Sequence, residues 1–216
     1  ELWKTDGTTA GTVLVKKIGT KTGAFNASKP KLFTTYKDEV YFVANDKLSG
    51  PQLWKTDGTE TGTAQVSNSN APNGLFPQGL FVAGDLLYFR ANNGSGDIEL
   101  WKCDGTAAGT KLVKDINPSA SSNPSGFGEL NGELFFKAND GTHGEELWTS
   151  DGTGAGTILL KDLSAGSVHG LSTHYNFTKY KNELYFTARG TGEQNGIWKT
   201  DGTAAGTVKA VDLQAN

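Results

Sequence analysis

Three histidines and the charged side chains near them are the residues of this sequence whose types could support chemistry. Imidazole and carboxylate groups together can bind a metal ion or act as a general acid and base. The group comprises Asp140, His143, Glu145, His169, His174 and Arg189. Because His143 and His169 belong to neighbouring loops of the predicted fold, the group can converge, and we name these six as the candidate ligand-binding residues. For the histidines themselves, three unrelated, solvated side chains are the favoured interpretation.

No local motif of a known catalytic mechanism accompanies these residues. The sequence contains no nucleophile elbow, no phosphate-binding loop, no HExxH pattern and no readable pair of glycosidase carboxylates. We therefore assign no catalytic residue, no metal ligand and no cofactor. A hydrolase or lyase with a histidine or metal site on its loops remains an alternative.

Composition narrows the class of protein. The formal net charge is −3, which provides no basic surface for nucleic acid or anionic lipid. Apolar runs extend for only a few residues, too short to cross a bilayer. Cys103 is the single cysteine, so disulfides do not define the fold. We expect no nucleic-acid partner and no membrane insertion.

The loops are set by a motif that occurs five times: Leu-Trp, two residues, Asp-Gly-Thr, two residues, Gly-Thr. Its tryptophans are spaced by 51, 47, 47 and 50 residues. They are Trp3, Trp54, Trp101, Trp148 and Trp198. A period of this length indicates a repeat architecture.

Each repeat offers four strand-like runs, which we call A, B, C and D. In the third full repeat they are residues 125–130, 133–138, 145–150 and 157–163. Run B is aromatic and apolar, as a buried strand should be, and no helical periodicity persists. The pattern predicts an all-β fold, a β-propeller built from four-stranded blades of about 47–51 residues. Such a blade is apolar on both faces and needs neighbours on both sides.

The whole chain, 1–216, is predicted to form a single propeller domain. Its repeat units are 1–18, which is half a blade, then 19–67, 68–116, 117–163 and 164–213. Residues 1–18 supply a C–D hairpin without an A–B partner. We expect four complete repeats plus this hairpin to be part of a ring of five or more blades.

The repeated motif, with glutamate before the leucine, resembles the ELWxxDGT repeat family. The copies lie at 1–8, 52–59, 99–106, 146–153 and 196–203, with Gln52, Gly196 and Ile197 as departures. The resemblance covers essentially the whole chain. It implies a propeller-forming repeat in large secreted or surface-attached bacterial proteins. It implies no established activity and supplies no catalytic residues.

The recurring aspartates and tryptophans each have two interpretations. Asp-Gly-Thr is typical of a tight turn in which the carboxylate accepts backbone N–H groups, and we predict a structural turn rather than a calcium site. The aspartates are Asp6, Asp57, Asp104, Asp151 and Asp201. We expect the five tryptophans to pack in the core between blades, rather than to line sugar pockets.

Binding is expected on the face that carries the longer, variable B–C and D–A loops. We predict an extracellular or cell-surface, non-catalytic binding or adhesion propeller whose partner is a glycan or an extracellular protein. A purely structural scaffold or assembly module of a larger surface protein is the second interpretation. Such a module could self-associate through the terminal C–D hairpin.

Overall fold

A computed structural model describes residues 1–19, 28–67, 74–92, 94–171 and 176–212. Within these ranges the chain forms β-strands and no α-helix, so the all-β prediction is confirmed. The strands are β1 (Leu2–Lys4), β2 (Val13–Lys16), β3 (Lys31–Tyr36), β4 (Glu39–Asn45), β5 (Pro51–Thr56), β6 (Ala64–Gln65), β7 (Gln78–Ala83), β8 (Leu86–Asn92), β9 (Ile98–Cys103), β10 (Lys111–Lys114), β11 (Ser125–Leu130), β12 (Glu133–Asn139), β13 (Glu145–Ser150), β14 (Ile158–Lys161), β15 (Thr178–Tyr180), β16 (Glu183–Arg189), β17 (Asn195–Thr200) and β18 (Val208–Asp212).

The strands form antiparallel sheets in which neighbours follow one another along the chain. Sheet 1 contains β1 and β2, sheet 2 contains β3 to β6, and sheet 3 contains β7 to β10. Sheet 4 contains β11 to β14, and sheet 5 contains β15 to β18. The four strands of sheets 2 to 5 correspond to runs A, B, C and D. The predicted four-stranded antiparallel unit is therefore confirmed.

The central strands of each sheet are buried on both faces. In β4, Tyr41 and Phe42 point to opposite sides, because successive side chains of a strand alternate, and both are fully buried. Phe42 packs in a cluster with sheet 1, and Tyr41 packs in a cluster with sheet 3. A sheet of this composition therefore needs a neighbour on each side.

Each pair of consecutive sheets shares one apolar cluster. The tryptophan of a sheet lies on the face toward the preceding sheet, and the leucine before it lies on the face toward the following sheet. Trp148 packs against Leu100 of sheet 3, whereas Leu147 packs against Phe186 of sheet 5. Full burial of one large side chain contributes roughly 1.5–3 kcal/mol, so these clusters stabilise the contacts between sheets.

The A strands bring the sheets closest together. Strand β3 contacts β7, β7 contacts β11, and β11 contacts β15, while the outer strands of neighbouring sheets do not contact one another as extensively within the described ranges. The sheets therefore spread outward from their A strands. This arrangement is consistent with the blades of a β-propeller.

Trp3 departs from the expectation that all five tryptophans are buried. Its side chain is 58% exposed, whereas Trp54, Trp148 and Trp198 are 6–9% exposed. Trp101 is partly buried and packs against the cluster between sheets 2 and 3. Trp3 differs because its indole lies on the face of sheet 1 that no described sheet covers. The placement of Trp3 in the core was wrong.

Candidate functional site

Two adjacent loops at one end of sheets 4 and 5 hold most of the candidate residues. Asp140 and His143 lie in the loop between β12 and β13, and Glu145 is the first residue of β13. His169 follows β14, and Arg189 ends β16. All of these positions are at the B–C and D–A end of the strands. His174 lies outside the described residues.

Asp140 and His143 form a hydrogen-bonded pair. The Asp140 Oδ2 atom is 2.7 Å from His143 Nδ1, and Asp140 Oδ1 accepts the backbone N–H groups of Thr142 and His143. Donation of a hydrogen bond to the Asp140 carboxylate raises the pKa of His143. When Nδ1–H donates to the carboxylate, Nε2 of the neutral ring is the acceptor that can take a proton. The pair thus has the arrangement found in acid–base catalysis, in which a carboxylate, here Asp140, orients a histidine base, here His143.

The structure brings Glu145, His169 and Arg189 together in a second group. His169 Nδ1 accepts the Glu145 backbone N–H at 2.9 Å, which places the proton of neutral His169 on Nε2. The Arg189 guanidinium is 3.4 Å from the His169 carbonyl oxygen. The Glu145 carboxylate pairs with Lys137 at 2.8 Å. The His169 and Arg189 side chains bond to backbone atoms, and the bond from the Glu145 N–H to His169 joins the two loops.

The corresponding loop of sheet 2 shows what is particular to His143. There Asp46 accepts the backbone N–H groups of Leu48 and Ser49 and the Ser49 hydroxyl. Asp140 makes the same backbone bonds, with His143 in the place of Ser49. The aspartate therefore holds the loop in both sheets, and the imidazole is the feature that sheet 4 adds.

No group of three or more histidine, cysteine, aspartate or glutamate side chains in the described ranges could hold a metal ion. Nor does any helix within those ranges have the length and apolar character needed to span a membrane.

The Asp-Gly-Thr motif folds into the same hydrogen-bonded turn in all five copies. In the fourth, Asp151 Oδ1 accepts the Thr153 backbone N–H at 2.7 Å and its hydroxyl at 2.8 Å, and the Thr153 Oγ1 accepts the Gly156 N–H. The bonds from Thr153 lower the pKa of Asp151. A Cβ at Gly156 would overlap the Asp151 carboxylate, so the motif needs glycine there. Equivalent bonds are made by Asp6, Asp57, Asp104 and Asp201.

A buried glutamate that sequence reasoning did not single out anchors the loop after strand D. The Glu146 side chain is fully buried, and its two oxygens accept the Leu163 and Gly170 N–H groups, each at 2.8 Å. Burial raises the pKa of Glu146 to about 7. Glu1 and Glu99 bond the corresponding loops of their sheets. Glutamate stands directly before Leu-Trp in three of the five motifs, and this recurrence was the sequence signal for the role.

Sequence reasoning also missed a cavity beside the A strands. It has a volume of about 380 Å³ and lies where sheets 2, 3 and 4 meet. Lys31, Gln78 and Arg90 contribute its polar groups, and Leu32 and Phe127 contribute apolar surface. Arg90 Nη2 donates to Gln78 Oε1 at 2.7 Å. Nothing in the sequence pattern indicates that these distant residues share one cavity.

Parts of two solved hydrolase structures have a similar fold. A puromycin hydrolase S511A mutant complexed with PGG is similar with a TM-score of 0.54 and 15% identity, over 87% of this chain and 29% of that one. A second puromycin hydrolase structure has a TM-score of 0.51 and 16% identity, over 85% and 29%. Xyloglucan PUL GH43B of Bacteroides ovatus has a TM-score of 0.44, too low to support an argument, with 13% identity over 85% and 40%. The chain thus spans about 29% of the puromycin hydrolase that it matches. No protein-family model and no curated protein sequence matches it.

The comparison corrects the functional expectation. A non-catalytic binding or adhesion propeller was predicted, but the solved structures with a similar fold are named as hydrolases. That prediction is contradicted. These structures likewise give no support to the prediction that the chain is not an enzyme.

Proposed function

We propose that this chain is the propeller portion of a hydrolase and that its loop face carries an acid–base pair, Asp140 and His143. The observation that carries the proposal is the 2.7 Å contact between Asp140 Oδ2 and His143 Nδ1, on a fold similar to that of puromycin hydrolase. Hydrolysis needs a group that takes a proton from a nucleophile or gives one to a leaving group. His143, with Nε2 opposite the anchored nitrogen, has that capacity.

The carboxylate has two functions in this proposal. It holds the imidazole in one tautomer and one orientation, and it stabilises the imidazolium after proton transfer. The raised pKa of His143 means that the ring loses its proton at a higher pH than an isolated histidine. Base activity should therefore increase as pH rises through that pKa.

The matched variant for a test is His143→Ser, because sheet 2 has Ser49 in the same loop position and keeps the same aspartate bonds. We expect this variant to fold normally and to lose about 100-fold or more of any hydrolytic rate, since acid–base catalysis contributes roughly 10²–10⁴-fold. Chromogenic esters, aminoacyl anilides and glycosides would be assayed across a pH range. Absence of hydrolysis of every class, or a rate unchanged in His143→Ser, would contradict the proposal.

An assembly module is the second candidate, and a specific observation favours it. Sheet 1 exposes Trp3, and sheet 5 exposes Tyr180 and Val211 on its opposite face. Between every pair of consecutive sheets, the tryptophan face of one sheet packs against the opposite face of the sheet before it. Further sheets of the same repeat, forming a ring of five or more blades, would cover both.

The location is also part of the proposal. The resemblance of the five motifs to the ELWxxDGT repeat family supports a secreted or surface-attached parent protein. Fractionation of cells that express the full-length protein, with detection in the medium and on intact cells, is the measurement that checks it.

A further inference from the structure

The cavity beside the A strands has a repeated construction. Lys31, Gln78 and Ser125 are the first residues of β3, β7 and β11, and they pair in register with Val43, Arg90 and Lys137 of the B strands. Three neighbouring sheets thus present equivalent positions to one region. Different residue types occupy these equivalent positions in the three sheets, although the strand pairing of the sheets is the same.

Positive charge accumulates at these positions. Sheet 2 contributes Lys31 and sheet 3 contributes Arg90 to the cavity lining, whereas Lys137 of sheet 4 is buried and does not line the cavity. Lys137 pairs with Glu145 at 2.8 Å, whereas no carboxylate of the described ranges forms an ion pair with Lys31 or Arg90, and no carboxylate lines the cavity. Two basic side chains therefore line a concave surface to which the described residues contribute no carboxylate. Such a surface favours an anion.

The Arg90 guanidinium is held in place by Gln78. One of its nitrogens, Nη2, donates to Gln78 Oε1 at 2.7 Å across the strand pair. Because guanidinium has five N–H donors in a planar fork, the remaining donors can meet both oxygens of a carboxylate. A fixed side chain loses less conformational entropy when the ligand binds.

Backbone bulges shape the wall of the cavity. The register of β3, β7 and β11 with their B strands shifts directly after the first residue, and Leu32, Gly79 and Gly126 there have φ values of 58°, 65° and 59°. Leucine rarely adopts this left-handed conformation. The leucine at position 32 places an apolar side chain on the cavity wall, which the glycines at the equivalent positions of sheets 3 and 4 do not.

The remaining surface of the cavity selects an organic ligand over a bare ion. Leu32, Pro124 and Phe127 line it, and Phe127 is packed against Phe136 and Phe81. A volume of about 380 Å³ lies in the range typical of sites for small organic molecules. The combination therefore suits an anionic head group attached to an apolar or ring-shaped body.

We infer that this cavity is a binding site for an organic carboxylate, with Arg90 and Lys31 as the charged contacts and Phe127 and Leu32 against the body of the ligand. Only the identification of this carboxylate as part of a substrate depends on the proposed hydrolase function. Binding itself is a separate property of the cavity and is measured without turnover.

The test is a calorimetric or NMR titration of the 216-residue chain with benzoate and galacturonate, each beside its neutral counterpart, benzyl alcohol or galactose. At least one carboxylate should bind, and its neutral counterpart should bind at least about tenfold more weakly. Arg90→Gln and Lys31→Gln should each weaken carboxylate binding, with about tenfold or more lost in Arg90→Gln. Lys111→Gln, on the exposed edge of β10, is the matched control and should bind like the parent chain. Circular dichroism would show whether each variant keeps the fold.

Three results would overturn the inference. They are the absence of carboxylate binding, equal binding of the neutral counterparts, and binding that Arg90→Gln leaves unchanged in a folded protein. Inorganic phosphate that binds as tightly as the carboxylates would also overturn it, because the cavity would then recognise charge alone. A chain that binds carboxylates but hydrolyses nothing would contradict the proposed hydrolase and leave the binding site standing.

Discussion

At the scale of single residues, the motif is a set of hydrogen-bond acceptors placed where backbone N–H groups would otherwise be unsatisfied. Asp151 closes the turn between strands C and D, and Glu146 holds the loop between strand D and the next sheet. The two carboxylates respond to pH in opposite directions. Hydrogen bonds lower the pKa of Asp151, whereas burial raises the pKa of Glu146.

The raised pKa of Glu146 predicts a stability that falls as pH rises. The folded protein holds this proton up to about pH 7, while the unfolded chain releases it near 4.5. The contribution to the free energy of unfolding is therefore fully present below about pH 4.5 and is lost as pH rises through 7. The shift in pKa from 4.5 to about 7 corresponds to roughly 3 kcal/mol. His143, whose pKa is also raised, contributes with the same sign.

Glu146→Gln should reduce this dependence. An amide does not ionise, and Gln52 at the same position of sheet 2 is fully buried and accepts the Ser67 hydroxyl at 2.7 Å. Urea unfolding followed by tryptophan fluorescence at about pH 5 and about pH 8 would measure the slope. Glu60→Gln, in the exposed turn of sheet 2, is the control. An unaltered slope in Glu146→Gln would show that this carboxyl is not the titrating group.

At the scale of elements, lysines of the D strands fasten each sheet to the turn of the next. Lys161 Nζ of β14 donates to the Ala204 and Thr207 carbonyl oxygens of sheet 5, at 3.1 and 2.8 Å. Lys114 Nζ donates to the Thr157 oxygen of sheet 4 at 2.8 Å. Lys16 makes the equivalent bonds to sheet 2. The Asp-Gly-Thr turn thus also serves as the acceptor of this contact between sheets.

Lys161→Met should weaken the contact between sheets 4 and 5. The variant keeps the length and most of the apolar stem of the side chain but removes the donor, so we expect a loss of about 1 kcal/mol. For a chain of this size that loss lowers the melting temperature by roughly 2–4 °C. Lys111→Met, exposed on β10, should change stability by less than about 0.5 kcal/mol. Equal effects of the two substitutions would show that the bonds from Lys161 are not stabilising.

At the scale of the whole molecule, the two terminal faces of the array are complementary. Trp3 and Leu14 on sheet 1 correspond to the surface that packs on a preceding sheet. Tyr180, Ile197 and Val211 on sheet 5 correspond to the surface that packs on a following sheet. The tyrosine is 59% exposed and the valine 50%. Exposed apolar surface of this extent favours association.

The 216-residue chain should therefore associate head to tail as its concentration increases, because the two complementary faces are different surfaces of one molecule. Light scattering would report the mass, and either Trp3→Ser or Val211→Ser should reduce it. Leu48→Ser is the control, because Leu48 is 71% exposed in the loop between β4 and β5 of sheet 2, which is not one of the two terminal sheets. A monomer at every concentration, or equal effects of the control, would contradict the predicted association.

How much could be predicted depends on the distance between the interacting residues in the sequence. The strands and turns follow from patterns within one repeat, and the Asp140–His143 pair joins residues three positions apart. The contact of Glu145 with His169 needed the packing of two loops from different units. The cavity of Lys31 and Arg90 needed the meeting of three sheets, for which no local pattern exists.

The five near-identical motifs were sufficient to establish four-stranded units, their tight turns and their need for neighbours, because those properties come from local hydrogen bonds and from alternation along a strand. The environment of each copy depended on the assembled sheets. Trp3 and Trp148 occupy the same motif position, yet one is exposed and the other buried, because burial depends on the presence of a neighbouring sheet. For the same reason, equivalent strand positions became a positively charged cavity only when three different sheets converged.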